Sequence, residues 1–232
     1  MYVPHKWIIT PDRSKTIWRY MSLDKFLSLL NDKQLYFARQ DRFDDLKEGM
    51  RSKLDLSLYD EAVPGISKLI EEDKHGCGFI NCWVMSDVEY FLMWNTYATL
   101  DKGIAIKSTV GNLIDSLDPN DDRVIRISDV KYIDYSRQST FDKADGSAND
   151  FARYFCKRKY FQQEKELMLV YYDYEKRLDS DNTEIGLLFD VSLETLIDEI
   201  YIAPQADDWY LNLIEEEVKL HKINKHVTRS LI

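Results

Sequence analysis

Two glutamates in the last third of the chain have the spacing expected of a paired catalytic site. Glu164 and Glu166 stand two residues apart and introduce the apolar run 167–172. Because alternate residues of a β-strand point to the same face, both carboxylates are expected to line one cleft. Neighbouring carboxylates repel, which raises the pKa of one of them and suits acid–base chemistry. The alternative is that both are solvated charges at the start of a strand.

Arginines alternate with aromatic residues in the first third of the chain. Guanidinium groups bind anions through paired hydrogen bonds, and aromatic rings offer a face for a planar ligand. The candidates of this kind are Arg19, Tyr20, Tyr36, Arg39 and Phe43, with Trp94 and Tyr97 further along. Two alternatives stay open. The arginines can simply hold a loop by pairing with Asp44, Asp45 or Glu48, and the helical residues Met93, Trp94 and Tyr97 can belong to the core.

A cluster of basic residues precedes the two glutamates. Its members are Arg153, Lys157, Arg158 and Lys159. Such a run is usually a solvated face. In an acidic chain it can also serve as a phosphate or nucleic-acid contact.

Several common chemistries are disfavoured by the spacings. The sequence has neither GxGxxG, nor GxxxxGK[ST], nor GxSxG, and it contains only 8 glycines. The histidines are scattered, and Cys77 and Cys82 are five residues apart, so no metal is expected. A nucleophilic cysteine beside His75 is conceivable, but Cys77 and Cys82 are better interpreted as small buried residues.

Composition bounds the class of protein. The chain has 232 residues, 44% of them hydrophobic, and a net charge of −10. It can bury a core, and it is a poor non-specific binder of DNA or anionic membranes, although the acidic surface suits a protein partner. With no apolar run of about 18 residues, no apolar signal segment and three cysteines, we expect a cytoplasmic protein with free thiols and no membrane association.

The elements that must position these residues indicate an α+β fold of one domain over residues 1–232. Strands are predicted at 16–21, 35–38, 79–86, 103–108, 124–127, 130–135, 166–172 and 197–203, and helices at 22–33, 87–99, 111–117, 150–160 and 207–219. The helix at 87–99 would be capped by Asp87. Residues 175–184 are predicted as a polar loop. A helical insertion is expected at about 50–75 and a loop insertion at about 136–150.

An ordered set of short motifs resembles the bacterial and phage domain-of-unknown-function family 2971. The matching pieces are the residues 18–22, 35–39, 43–45, 48–49, 82–86, 93–98, 102–103 and 164–166. Together they span about residues 16–204. The chain departs from the family pattern at Leu46, where relatives have proline, and at Met168, where relatives have arginine.

The layout of that family is in turn similar to ADP-ribosyltransferases of the DarT-like type, which modify DNA. This resemblance implies a split mixed or antiparallel β-sheet core with peripheral helices. It implies NAD as a substrate, an oxocarbenium-like transition state, and a macromolecular acceptor, either protein or nucleic acid, in a toxin or phage-defence setting. Glu166, Glu164 and Arg39 would be catalytic. Arg19, Tyr20, Ser22, Tyr36, Phe43, Trp94 and Tyr97 would bind NAD.

Two other functions compete with this hypothesis. One is a non-catalytic protein that binds a nucleotide or a partner protein, favoured by the acidic charge and by Met168. The other is a Mg²⁺-dependent nuclease that uses Asp44, Asp45, Glu48 and the glutamate pair.

Overall fold

The computed structural model describes residues 1–6, 8–43, 45, 48–68, 78–140, 150–175 and 183–232. The strands are β1 Thr16–Met21, β2 Gln34–Arg39, β3 Gly78–Met85, β4 Ile104–Thr109, β5 Ile125–Asp129, β6 Lys131–Ile133, β7 Cys156–Arg158, β8 Glu166–Tyr172, β9 Gly186–Asp190, β10 Glu199–Ile202 and β11 Val227–Arg229. The α-helices with defined bounds are α1 Leu23–Asp32, α2 Lys53–Ala62, α3 Phe91–Tyr97, α4 Val110–Ser116, α5 Leu193–Leu196 and α6 Asp208–Leu220. Segments of 3₁₀-helix cover Gln40–Arg42, Asp150–Phe155 and Lys159–Glu164.

Strand β1, helix α1 and strand β2 form where the apolar periodicity predicts them. Helix α1 buries Phe26, Leu29 and Leu30, and each such side chain contributes about 1.5–3 kcal/mol through apolar burial. The helix ends at Asp32, and its C-cap residue Lys33 has a left-handed φ of 54° that turns the chain into β2. Helix α1 thus connects β1 to β2, which are both neighbours of β3 in the sheet.

Nine strands form one sheet, and β6 and β7 form a separate parallel pair. The main path of the sheet runs β11-β10-β4-β1-β3-β2-β9, while β8 pairs with β3 and β5. Among the described strand pairs of this sheet, β10 with β11 is parallel and the others are antiparallel. The predicted α+β class with a split, mostly antiparallel sheet is therefore confirmed.

Strand β3 is where the sheet splits. Along one edge it pairs with β8 over seven consecutive residues. Its other edge is shared between β1, which pairs with Val84 and Met85, and β2, which pairs with Phe79 and Ile80. A strand has only two hydrogen-bonding edges, so residues 81–83 have no strand partner on this edge among the described residues. An opening between β1 and β2 results.

Two apolar clusters cover the sheet and divide the residues of β8 between them. Leu167 and Leu169 join the larger cluster, whereas Met168 and Val170 join the smaller one. Because side chains alternate along a strand, Glu166 shares the face of Met168 and points to the side of the smaller cluster.

Three elements of the structure differ from the prediction. The helix predicted at 87–99 begins only at Phe91, with Tyr90 and not Asp87 at its N-cap, because the Tyr90 N–H donates to the Tyr20 hydroxyl at 2.8 Å. The helix predicted at 150–160 is instead two 3₁₀ segments flanking β7. Strand β9 follows the predicted polar loop and was missed.

Some predictions fall on residues outside the described ranges. They concern Asp44, His75, Cys77 and most of the loop insertion at 136–150, together with the end of the helical insertion at 50–75. In the part of the chain that the structure describes, no helix has the length and apolarity needed to cross a bilayer.

Candidate active site

The opening between β1 and β2 forms a cleft of about 670 Å³, a volume typical of small-molecule sites. Seven of the ten residues predicted for the site line it: Arg19, Tyr20, Tyr36, Phe43, Tyr97, Glu164 and Glu166. Asn81, Cys82 and Trp83 of β3 form part of the lining where the sheet splits. The cleft therefore joins residues from the first and last thirds of the chain.

Arg19 presents a guanidinium group to the cleft from β1. Its Nη1 donates to the backbone carbonyl of Cys82 at 3.0 Å, and its Cζ lies 5.8 Å from the centre of the Trp83 ring. Burial lowers the pKa of Arg19 to about 10, so the group stays charged at neutral pH. No described carboxylate forms an ion pair with it. A guanidinium has five N–H donors, so most of them remain for an anionic ligand.

Arg39 is not in the cleft, which corrects its predicted place beside Glu166. Tyr36 and Ala38 of β2 line the cleft, and strand alternation turns Arg39 to the opposite face. There its Nε and Nη2 donate to the two carboxylate oxygens of Asp41 at 2.7 and 3.0 Å. Arg39 thus holds the segment that follows β2.

Three aromatic side chains stand at the cleft with an accessible edge or face. Tyr36 is 44% exposed, and its hydroxyl donates to the carbonyl of Ile185 at 3.1 Å. Tyr97 ends helix α3, is also 44% exposed and has a hydroxyl that hydrogen-bonds to Glu164. Phe43 caps the 3₁₀ segment after β2 and packs against the smaller cluster. These rings are suitable for stacking on a planar heterocycle.

Three other predicted ligand-binding residues take supporting positions. Tyr20 lines the cleft but is only 6% exposed, and its ring packs edge-to-face on Trp94 at 5.1 Å. Trp94 is fully buried in the core, with its Nε1 donating to Glu89 at 3.2 Å, so it does not reach the cleft. Ser22 occupies the N-cap of α1 without a side-chain cap, and its hydroxyl hydrogen-bonds to Asp24 instead.

Glu164 and Glu166 converge, but not by the strand alternation that the sequence suggested. Strand β8 begins at Glu166, and Glu164 ends the preceding 3₁₀ segment. Between them Lys165 adopts a left-handed φ of 46°, which interrupts the regular alternation of side chains along a strand. Both carboxylates then approach the same ammonium group, that of Lys157.

The Lys157 cluster consists of Lys157, Glu48, Glu164 and Glu166. The Nζ of Lys157 lies 2.8 Å from Oε2 of Glu166, 3.4 Å from Oε2 of Glu48 and 3.6 Å from Oε2 of Glu164. Lys157, Glu48 and Glu166 are each at most 5% exposed. One ammonium group therefore faces three carboxylates in a setting with little water.

Burial and mutual repulsion raise the pKa values of two members of this cluster. Burial raises the pKa of Glu48 to about 8, against the attraction of Lys157, and the charge of Glu166 adds to the effect. Burial also raises the pKa of Glu164, with the charge of Glu166 as the next cause. Perturbed carboxyl groups at a cleft are typical of active sites.

The basic run before the glutamates does not form one solvated face. Lys157 is buried, and Arg158 pairs with Asp45 at 2.8 Å. Of the carboxylates that the nuclease hypothesis assigned to Mg²⁺, Glu48, Glu164 and Glu166 face Lys157, and Asp45 faces Arg158. Asp44 lies outside the described residues. Among the described residues, no group of three metal-binding side chains is arranged to hold an ion.

Asn81 was missing from every predicted site, and Lys157 and Glu48 were missing from the predicted NAD site. Asn81 lies where the sheet splits, and its Nδ2 donates to the carbonyl of Tyr36 at 2.8 Å, which replaces a lost strand–strand hydrogen bond. A polar residue within the apolar run of β3 was the available signal for Asn81. Lys157 and Glu48 lie far apart in the chain, and no local spacing joins them.

Neither a known family profile nor a curated protein matches this sequence, so membership of family 2971 stays a prediction. Among solved structures, the chain is similar to Thermus sp. 2.9 DarT in complex with ADP-ribosylated ssDNA, with 10% identity, coverage of 96% of this chain and 97% of that chain, and a TM-score of 0.44. For the complex of the same protein with NAD⁺, the identity is 9%, the coverage is 96% of this chain and 98% of that chain, and the TM-score is 0.39. For the complex with carba-NAD⁺, the identity is 10%, the coverage is 95% and 97%, and the TM-score is 0.43. At this level of similarity no residue role transfers from those proteins to this chain.

Proposed function

We propose that this protein is an ADP-ribosyltransferase-like enzyme that cleaves NAD and transfers ADP-ribose to a macromolecular acceptor. One observation carries the proposal: a guanidinium with no carboxylate partner among the described residues lines the same cleft as a carboxylate pair, at the split of the sheet. Arg19 of β1 and Glu166 of β8 lie on either side of β3. Their backbones are about 10 Å apart, since adjacent strands are about 4.8 Å apart.

The chemistry accounts for both kinds of group. Breaking the bond between nicotinamide and ribose releases neutral nicotinamide and builds positive charge on the ribose, as in glycoside hydrolysis. A carboxylate next to the ribose stabilises that charge. The acceptor then forms a bond to the ribose carbon and loses a proton, which a second carboxylate can take. We assign the first task to Glu166 and the second to Glu164.

The remaining cleft residues bind the substrate. Arg19 suits the diphosphate, because guanidinium groups form paired hydrogen bonds with phosphate oxygens. Tyr36, Phe43 and Tyr97 suit stacking on the heterocycles. Arg39 is no longer part of the proposed catalytic set, because it lies on the other face of β2.

The test is release of nicotinamide from NAD, measured by chromatography with a panel of protein and nucleic-acid acceptors. We expect turnover by the wild type and a loss of about 10²–10³-fold in Glu166→Gln, the scale of losing one stabilising group. Glu216→Gln, an exposed glutamate of α6, is the matched control and should match the wild type. The proposal would be overturned if the wild type released nicotinamide no faster than a sample without enzyme, whichever acceptor is added.

Binding of NAD tests Arg19 separately. In calorimetry, Arg19→Leu should weaken NAD binding about 10–100-fold, in line with about 1.5–3 kcal/mol for a hydrogen bond to a charged group. Arg13→Leu is the control, because Arg13 pairs with Asp115 in an exposed position. Equal affinity in all three proteins would remove Arg19 from the site.

One observation favours a second candidate function, a non-catalytic nucleotide-binding protein. Glu166 is 5% exposed and is already neutralised by Lys157, as in a purely structural ion pair. This function would give tight binding of NAD or another nucleotide in calorimetry together with no release of nicotinamide.

A further inference from the structure

The ammonium group of Lys157 is buried, which is unusual for a lysine and calls for an explanation. Lysine is almost never fully buried unless it is paired, because removing its charge from water is costly. Here Nζ contacts both carboxylate oxygens of Glu166, at 2.9 and 2.8 Å. It also lies 3.4 Å from Glu48 and 3.6 Å from Glu164.

We propose that Lys157 is the positioning residue of the NAD-cleaving site: it fixes the carboxylates of Glu166 and Glu164 at the cleft, and Glu48 competes with them for its ammonium group. This inference rests on the proposed function. It adds two residues that touch no substrate and a dependence on pH.

Geometry supports the positioning role. The backbone of Glu166 is fixed by its pairing with Val84 and by its N–H, which donates to the Tyr132 hydroxyl at 2.9 Å. Lys157 then restrains the far end of the same side chain through two contacts. A side chain fixed at both ends has little freedom to rotate, and displacement by 1 Å can cost about 10²-fold in rate.

Glu48 belongs to the segment that follows β2, and its Oε2 lies 3.4 Å from the Nζ of Lys157. Burial raises the pKa of Glu48 to about 8, so its carboxyl is mostly neutral at pH 7. Above pH 8 it ionises, and a third carboxylate then attracts the same ammonium group. Glu166 and Glu164 should be held less firmly in that range.

The other ionisable groups that face the cluster are Cys82, Tyr97, Tyr132, Tyr135 and Asp45. Burial raises the pKa values of the thiol and of the three tyrosines, so these groups are neutral between pH 6 and pH 9. Asp45 is paired with Arg158. Glu48, whose pKa is raised to about 8, therefore changes its charge in this range. Burial raises the pKa of Glu164 as well.

The kinetic experiment compares Lys157→Met, Lys157→Arg and Glu48→Gln with the wild type. Methionine keeps the length of the side chain without the charge. We expect kcat for nicotinamide release to fall about 10²-fold in Lys157→Met, with KM changed less than about threefold. The kcat of Lys157→Arg should be at least about tenfold higher than that of Lys157→Met. Lys159→Met, an exposed neighbour, is the matched control and should leave kcat unchanged.

The pH profile separates positioning from a merely structural role. We expect kcat of the wild type to fall above about pH 8, and the profile of Glu48→Gln to stay flat to higher pH. A lysine that only stabilised the fold would reduce the amount of active enzyme without this shift. A wild-type kcat in Lys157→Met, or identical profiles for the wild type and Glu48→Gln, would overturn the proposal.

A readout independent of turnover keeps this inference separate from the proposed function. With ¹³C-labelled glutamate, NMR titration should show a group with a midpoint near pH 8 that is absent in Glu48→Gln. In Lys157→Met the midpoint should move upward, because Lys157 favours the charged form of Glu48. If the wild type lacks turnover, the proposed function fails. If the midpoint of this titration is the same in Lys157→Met as in the wild type, the interaction between Lys157 and Glu48 is rejected whether or not the protein cleaves NAD. If Lys157→Met does not fold, the kinetics of Lys157→Arg and the titration of Glu48→Gln decide the proposal.

Discussion

Two buried acidic sites of this protein solve the problem of burial in opposite ways. Asp55 of α2 is fully buried and accepts five hydrogen bonds, which come from Ser52, Ser139 and Thr140. In the Lys157 cluster, three carboxylates share one ammonium group. The single carboxylate of Asp55 therefore has five hydrogen-bond donors, whereas the three carboxyl groups of the Lys157 cluster share the donors of one ammonium group.

The pKa values follow the supply of donors. Burial alone would raise the pKa of Asp55, but the hydrogen bonds from Ser139, Thr140 and Ser52 outweigh it and lower the pKa. The pKa values of Glu48 and Glu164 are raised. Burial of a carboxylate is therefore not by itself a sign of function, whereas burial with few hydrogen-bond donors raises its pKa, as is typical of acid–base groups.

The largest effect on stability should come from Asp55. Replacing it in Asp55→Ala leaves several buried donors without an acceptor and should lower the free energy of unfolding by about 3–5 kcal/mol. Since Asp55 is ionised at neutral pH, the loss should be the same at pH 6 and pH 9. Urea unfolding measures it, with Asp60→Ala as a milder control on the same helix. A loss below about 1 kcal/mol would break the contrast.

A somewhat smaller effect, with a distinct pH dependence, is expected for Glu48. Its folded pKa is about 8 and its unfolded pKa is near 4.5, so the folded state holds an extra proton between these values. The stability of the wild type should therefore fall as pH rises through this window. Relative to the wild type, Glu48→Gln should gain about 2–4 kcal/mol between pH 5 and pH 9. Glu216→Gln should follow the wild-type curve, and a parallel curve for Glu48→Gln would contradict the expectation.

The smallest effect is expected for Arg158, the neighbour of Lys157. Arg158 pairs with Asp45 at 2.8 Å, but its side chain is 39% exposed. Arg158→Gln should cost less than about 1 kcal/mol, and 1 M salt should reduce that cost further. A loss above about 2 kcal/mol in denaturant unfolding would show that exposure is not what separates this pair from the Lys157 cluster.

Much of the fold is predictable from apolar periodicity, and the exceptions have physical reasons. Strands β1, β3 and β8 are runs of buried residues, so their sequence pattern is strong. Strand β9 buries only Phe189, because it lies at the edge of the sheet. The start of α3 depends on a hydroxyl from Tyr20, which local sequence does not reveal.

Some residues of the candidate site could likewise be predicted from the sequence, and others could not. The residue types of Arg19, Glu164 and Glu166 are informative by themselves. Arg39 is three residues beyond Tyr36, an odd interval that already predicts opposite faces of a strand. The partnership of Lys157 with Glu48 depends on the tertiary fold, since it joins distant parts of the chain.

The left-handed turn at Lys165 has a consequence for anyone who would transplant this glutamate pair into another scaffold. In a regular pleat, the two side chains would stand side by side along one face and would not converge on a single point. The graft must therefore include the residue between them, and glycine or asparagine would accept its backbone angles far more readily than valine or isoleucine. Copying the two acids alone would reproduce their spacing and lose their meeting point.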